Sequence, residues 1–299
     1  MPKNPLCEVF GYPIANYSPT AKSFRNDKLC PYNNISANCT KDKIKNPLGV
    51  CSIFDGDDIA ITCPVRFRQD WLIVSDAAEY FFDPGTSWTT LPEVRLNDAN
   101  GKSAGNIDLI LVSYDNGGKL VDFGAVEVQA VYISGNIRQP FEKYMKSKSA
   151  DFAWDVSYNY PKPDYLSSSR KRLIPQLMFK GGILNTWGKK IGVVLHESFY
   201  STLPALPEVH RDVSNIAWFI YGLDYDNTKE QYILTKRRTI YTKFGEVLKK
   251  ISTPTPGELN EFVNILQEKL DEKLEEGSLP EAKNLSSMFS LLSNKEEDI

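Results

Sequence analysis

Apolar and polar positions along this chain follow two different periods, and the change from one to the other marks out its elements. In the middle, Ile107-Asp108-Leu109-Ile110-Leu111-Val112 reads as a strand. The turn Asp115-Asn116-Gly117-Gly118 follows, and then a second strand, Phe123-Gly124-Ala125-Val126-Glu127-Val128-Gln129-Ala130-Val131. Short apolar runs bounded by turn residues are what a buried hairpin requires. Further along, 191–196 is a continuous apolar run that predicts a buried strand, and 216–223 predicts another. Helices are expected near 77–82, over 140–147, over 173–187 with Pro175 in the first turn, over 206–212, and as a basic helix over 236–251. Residues 158–169, rich in Tyr, Pro and Ser, suggest a surface loop or lid. After the break Thr253-Pro254-Thr255-Pro256-Gly257, a helix is predicted over 258–276, with Leu259, Phe262, Val263, Leu266, Leu270 and Leu274 at helical spacing. The order hairpin, helix, strand, helix, strand predicts an α/β fold, a mixed central sheet flanked by helices.

Residues 1–75 break this regularity. Their apolar runs are short, Pro, Gly, Asn and Asp are frequent, and all five cysteines lie among them. A loop-rich region of this kind is expected to be held by something other than a core. Three parts follow: 1–75, a body over 76–254, and an acidic helical segment over 255–299, expected to pack on the body or on a second subunit. No stretch approaches a membrane span and the N-terminus lacks an apolar signal run, so a cytoplasmic protein is expected. The net charge of -3 conceals an asymmetry. Residues 255–299 hold 11 acids and 4 bases, and the preceding 254 hold 27 and 31. A mildly basic body is compatible with nucleic acid.

The candidate chemistry is narrow. With two histidines, His196 and His210, sites built on several imidazoles are hard to assemble, and carboxylates, metals or thiols must carry the work. Cys30, Cys39, Cys51 and Cys63 are separated by 8, 11 and 11 residues, while Cys7 stands apart. In a cytosolic protein four clustered cysteines favour a metal over disulfides. A tetrahedral four-thiolate site would be structural, and zinc and iron both fit it.

The hairpin carries acids where apolar residues belong. Burying Asp108 and Glu127 among Ile, Val and Leu is costly unless they are paired or bind a metal. Alternation puts Glu127 and Gln129 on one face of their strand and Val126 and Val128 on the other. Asp108, on the neighbouring strand, can share a cation with Glu127, and Glu93 in Leu91-Pro92-Glu93-Val94 can add a further carboxylate. One or two Mg2+ ions in such a site would supply a hydroxide nucleophile and neutralise a phosphate. Alternation also allows both acids to face solvent on a half-exposed sheet.

Asp108 followed by Glu127-Val128-Gln129 resembles the PD-(D/E)xK nuclease core, with Gln in the usual Lys position. Taken together, Phe10-Gly11-Tyr12, Arg25-Asn26-Asp27, Cys30-Pro31-Tyr32, Gly49-Val50-Cys51, Cys63-Pro64-Val65-Arg66, Glu93, the acidic hairpin and Asn215-Ile216-Ala217-Trp218 resemble NotI-type restriction endonucleases over roughly residues 8–225. That resemblance implies a restriction-endonuclease-like core and a homodimer cutting a palindromic double-stranded DNA site with Mg2+. It implies a single iron or zinc on Cys30, Cys39, Cys51 and Cys63. It also implies Asp108 and Glu127 as Mg2+ ligands, Gln129 in place of lysine, and Glu93 as an auxiliary acid. Arg170-Lys171-Arg172 and Lys236-Arg237-Arg238 are then candidate phosphate contacts. Arg25, Arg66 and Arg68 are candidate base readers, and Tyr158, Tyr160 and Tyr165 can stack or pack. His196, ending a buried strand, is expected to be a satisfied structural histidine. A non-catalytic DNA-binding protein and an electron-transfer protein are the alternatives. The paired acids weigh against the first, and the absence of close C-x2-C knuckles against the second.

Overall fold

The computed structural model describes residues 4–43, 45–147, 149 and 160–275. The chain forms two compact units, Met1–Thr253 and Pro254–Ile299. In the first, β1 (Leu6–Val9), β2 (Tyr12–Pro13), β5 (Val50–Asp55) and β6 (Asp58–Ile61) make a four-stranded sheet in the order β2-β1-β5-β6. The short ribbon β3 (Asp42–Lys43) and β4 (Asn46–Pro47) lies between β2 and β5 in sequence, after helix α1 (Pro19–Asn26). Helix α2 (Leu72–Phe81) leads into the central sheet: β7 (Trp88–Asn97), β8 (Ser103–Tyr114), β9 (Leu120–Gln129), β12 (Ile191–His196), β13 (Ile216–Asp226) and β14 (Gln231–Thr242), in the order β14-β13-β12-β9-β8-β7. The ribbon β10 (Tyr132–Ser134) and β11 (Lys162–Asp164) sits between β9 and β12 in sequence, with α3 (Arg138–Ser147) inside it. β12 runs parallel to both β9 and β13, and the remaining pairs are antiparallel.

Both faces of this sheet are covered, so its central strands are apolar throughout rather than alternating. One face packs Ala125, Val193, Leu195, Trp218 and Ile220 against Leu173, Leu177, Leu184, Phe244 and Val247. Leu173, Leu177 and Leu184 come from a long helix spanning 165–186. On the other face, Leu109, Val126, Val128, Val194 and Phe219 meet Ile73, Val74, Ala77 and Phe81 of α2. Phe81 packs so closely on β9 that a Cβ at Gly124 would fall 2.4 Å from its ring.

The strands expected at 191–196 and 216–223 are present as β12 and as the first part of β13. The second unit contains the helix expected after the Pro254 break, over Leu259–Glu275. Two expectations are overturned. Residues 236–251 are not one helix: 236–242 belong to β14, and a helix begins only at Phe244. Lys236, Arg237 and Arg238 owe their place to cross-strand pairing with β13 and to ion pairs rather than to helical periodicity. Residues 206–212 contain no α-helix; Glu208 bridges to Thr242 and only Arg211–Val213 makes a helical turn, of the 3-10 type. The long helix also starts earlier than expected, so residues 165–169 of the predicted loop are helical and 162–164 form β11. Tyr158 lies outside the described residues. Tyr165 is held by its hydroxyl on Asp55 and by stacking on Phe199, which is packing.

The N-terminal region has a core of its own. Leu6, Val9, Phe10, Val50, Ile53 and Ala60 pack with Ile137, Phe141 and Tyr144. Beneath it lies a fully buried ion pair, Arg66 Nε to Glu8 Oε2 at 3.1 Å with both side chains 0% exposed. Arg66 also donates to Tyr232 O at 2.8 Å and lies 4.3 Å over the Tyr32 ring. It thereby ties the small sheet to β14. Arg25, 1% exposed, donates to Pro13 O and Asn16 O, each at 2.6 Å. Neither guanidinium is available to read a base, so those two expectations are corrected; Arg68, half-buried, is not so tied. His196 is only half satisfied. Nδ1 accepts from Ser198 N at 3.2 Å, while Nε2 is buried and has no partner among the described residues.

Two stability predictions follow from these buried groups. Removing one partner of a buried pair leaves an uncompensated charge, so Arg66→Met should cost about 3–5 kcal/mol in urea unfolding. Arg66→Met combined with Glu8→Leu should recover most of that loss; a single variant as stable as wild type would refute the pairing. Burial, followed by the charges of Arg237 and Arg66, lowers the His196 pKa from 6.5 to about 4. Between those values the unfolded chain takes up a proton that the native state refuses. Stability should therefore fall as pH drops from 6.5 towards 4, by up to about 1.4 kcal/mol per pH unit from this group. His196→Gln should flatten that slope, and an unchanged slope would exclude His196 as its source.

Candidate active site

Strand register brings the acids together. Leu109 pairs with Val126, so the next position outward places Asp108 level with Glu127. Pro92 pairs with Leu109 and Val94 with Ile107, so Glu93 falls level with Asp108. By register Glu93, Asp108 and Glu127 thus fall in one row across β7, β8 and β9, and Asp108 stands near enough to Glu127 for its charge to act on it. That row interrupts the ladder. Glu93 takes φ 53°, uncommon for a residue with a side chain, and is exposed. Asp108, half-buried, accepts the Val128 N–H through Oδ2 at 2.8 Å, a side chain taking a main-chain partner where β8 and β9 cease to pair.

Glu127 is 3% exposed. Its Oε2 accepts from Lys180 Nζ at 2.6 Å, and Lys180 also donates to Asn106 O at 2.8 Å. Two residues on, Gln129 Nε2 donates to Gln176 Oε1 at 2.5 Å. Glu127 Oε1 and Gln129 Oε1 are both buried and have no hydrogen-bond partner among the described residues. Burial, and then the charge of Asp108, push the Glu127 carboxyl up to about 8, while Lys180 and Arg172 oppose the rise. The Lys180 ammonium is therefore too little positive charge to bring the Glu127 carboxyl back to its ordinary range. Two unpartnered oxygens on one strand face beside Asp108 are the donor type a hard divalent cation takes, although no three acidic side chains among the described residues stand close enough to hold one as they are.

Sequence reasoning did not single out Lys180 or Gln176, and both come from the long helix. A signal was present: Lys180 lies on the same helical stripe as the buried Leu173, Leu177 and Leu184, where a charge needs a partner. Of the basic runs, Lys236 pairs with Asp76 at 2.7 Å, Arg237 with Glu197 and Asp224, and Arg238 lies 5.0 Å over Tyr200. These contacts hold the side chains to the protein. Arg170 and Lys171 are exposed on the long helix, immediately before Arg172.

The four cysteines gather around the small sheet. Cys51 lies on β5, Cys63 just after β6, and the loop carrying Cys30 and Cys39 is closed by the bridge between Leu29 and Asn38. All five cysteines are free thiols. Burial raises the pKa of Cys30 to about 11 and raises those of Cys39 and Cys51; in each case the neighbouring Cys63 adds to the rise. Cys7 is apart from them, beside Ser52 and Tyr232. Among the described residues, no three Cys, His, Asp or Glu side chains are arranged closely enough to hold a metal ion as they stand. The four thiols nonetheless share one electrostatic neighbourhood, and as a donor set they suit a thiophilic ion.

No helix among the described residues is long and apolar enough to cross a membrane. A search of curated proteins finds no match. The family model described as restriction endonuclease NotI matches residues 8–234, a span that includes most of the small sheet, strands β7 to β13, the cysteine cluster and the acidic row. With well over half of its 299 residues matched, this chain belongs to the NotI restriction endonuclease family and is a site-specific deoxyribonuclease.

Proposed function

We propose that the chain cuts double-stranded DNA by Mg2+-dependent phosphodiester hydrolysis at a PD-(D/E)xK-type centre of the E-x-Q variant. Residues 76–254 form its nuclease core, and the recognition site is a palindrome met by a homodimer. The observation that carries this reading is the unpartnered pair of buried oxygens, Glu127 Oε1 and Gln129 Oε1, on one face of β9. Asp108 and Glu127 are the ligands, and Glu93 stands at the exposed end of the row as an auxiliary acid. When bound, the cation supplies a water of lowered pKa and neutralises charge on the phosphate. Gln129, with its Nε2 held by Gln176, has Oε1 free to accept a hydrogen bond from the attacking water and so orient it. It cannot take up that proton. The water gives up one proton to solvent as its oxygen bonds to phosphorus, the opposite P–O ester bond breaks, and the leaving oxygen acquires a proton from solvent. Arg170 and Lys171 are placed to contact the DNA backbone and hold its register.

Purified protein should produce discrete fragments from unmethylated genomic DNA with Mg2+ and none in EDTA. Asp108→Ala and Glu127→Ala should each slow cutting by roughly 10³-fold or more, because cation-derived charge stabilisation is worth several kcal/mol. DNA binding in Ca2+ should persist. Cutting by either variant at the wild-type rate would exclude the assigned ligands. No cutting in any divalent cation would favour a binding-only reading of the site.

Cys30, Cys39, Cys51 and Cys63 are assigned one structural zinc or iron, which would lock the loop-rich segment of residues 1–75 onto β5 and β6. Elemental analysis should find about one metal per chain. Visible absorbance will identify iron, and a colourless metalloprotein zinc. Cys63→Ser should lose the metal and melt at lower temperature, whereas Cys7→Ser should retain it. Metal-free wild-type protein, or full metal content in Cys63→Ser, would remove this assignment.

A further inference from the structure

The E-x-Q strand lacks a cation of its own, and the long helix supplies one. Lys180 is 3% exposed, and its Nζ bridges Glu127 on β9 and the Asn106 carbonyl on β8, at the place where these strands stop pairing. Its stem passes over Gly105, where φ is 110° and a side-chain carbon would meet Lys180 Cδ at 3.8 Å. The spacing of helix and strand is matched. Gln176 and Lys180 are one helical turn apart, about 6 Å along the axis, and Gln129 and Glu127 are two strand residues apart, about 6.6 Å. Two rungs result, Gln176 to Gln129 and Lys180 to Glu127. One turn earlier on the same stripe is Arg172, whose charge also reaches Glu127 and whose guanidinium lies 6.0 Å from the Tyr132 ring centre. Arg172 and Lys180 each lie within a π-helical turn, Ser169–Leu173 and Leu177–Gly181. Such turns insert a residue, re-aim the side chains beyond them, and recur at functional sites.

We propose that Lys180 is the catalytic lysine of this centre, delivered by the covering helix to the site where the strand carries Gln129. It holds Glu127 in place in the absence of DNA. When DNA and the cation engage the acids, its ammonium turns to a non-bridging oxygen of the scissile phosphate and offsets the negative charge that grows there as water attacks. Arg172 flanks the same phosphate. This inference rests on the hydrolytic reading above.

The test compares wild type, Lys180→Met, Lys180→Arg, and the relocated pair Gln129→Lys with Lys180→Met. Lys180→Met should lower kcat by about 10²–10³-fold, the usual effect of removing one donor aimed at developing charge, with KM for DNA changed only a few-fold. Lys180→Arg should keep more activity than Lys180→Met. Returning the cation to the strand should raise the rate at least roughly tenfold over Lys180→Met. A readout without metal is DNA affinity in EDTA at about pH 9, where ionised Glu127 with no ammonium beside it repels the phosphate, so affinity should weaken in Lys180→Met. If Lys180→Met melts too early to assay, Lys180→Met with Glu127→Gln removes the unpaired buried carboxylate. Its EDTA affinity should then match that of Glu127→Gln alone, and a further loss would overturn the neutralising role. A folded Lys180→Met with wild-type kcat would overturn the proposal while leaving the nuclease reading intact. So would a relocated pair no faster than Lys180→Met. Failure of wild type to cut in any divalent cation would instead remove the reading on which it rests.

Discussion

The burial of Glu127 is the constraint on which the rest of this structure depends. A carboxylate 3% exposed in the third strand from the edge of a six-stranded sheet is tolerable only if positive charge is brought to it. The nearest cation comes from a helix some fifty residues away in sequence. That helix is held on the sheet by Leu173, Leu177 and Leu184 packed against β12 and β13. The apolar contacts that cover this face of the sheet are thus the same contacts that position Lys180 and Gln176. A cavity at Leu177 or Leu184 would act on the site as well as on the fold, because a buried ion pair loses its advantage quickly when its geometry loosens.

Much of the central sheet was legible in the chain, since its central strands are marked by unbroken apolar runs and a Gly-rich turn. β8, β9 and β12 fall where periodicity puts them, and β13 begins there. β14 was not legible. Lys236, Arg237 and Arg238 interrupt its apolar pattern, and what makes it a strand is a partner, β13, with Asp224 and Glu197 waiting for the guanidinium. Tertiary pairing overrode local preference there. The N-terminal region was read as lacking a core because its runs are short. Short runs from β1 and β5, with Phe141 and Tyr144 of α3, nevertheless add up to one.

The candidate site divides the same way. Asp108, Glu127 and Gln129 stand out because each violates the pattern of its own strand, and local violations are visible in sequence. The level position of Glu93 depends on the register of an edge strand, which no local pattern reports. Lys180 and Arg172 depend on helix phase, and two π-turns shift that phase away from the regular 3.6-residue repeat. Arg25 and Arg66 show the opposite failure. Arginines beside a cysteine cluster suggest contacts with an external partner, yet both are consumed internally by carbonyls and by Glu8.

β7 forms the outer rail of the central sheet, and its middle is interrupted twice in succession. Pro92 has no N–H to donate, and Glu93 turns the chain out of extended geometry at φ 53°. A rail broken in this way cannot template a seventh strand across that stretch, so the sheet is closed to edge-to-edge growth where the acidic row reaches the surface. A second copy of this chain therefore cannot extend the sheet by pairing continuously along β7 through Pro92 and Glu93.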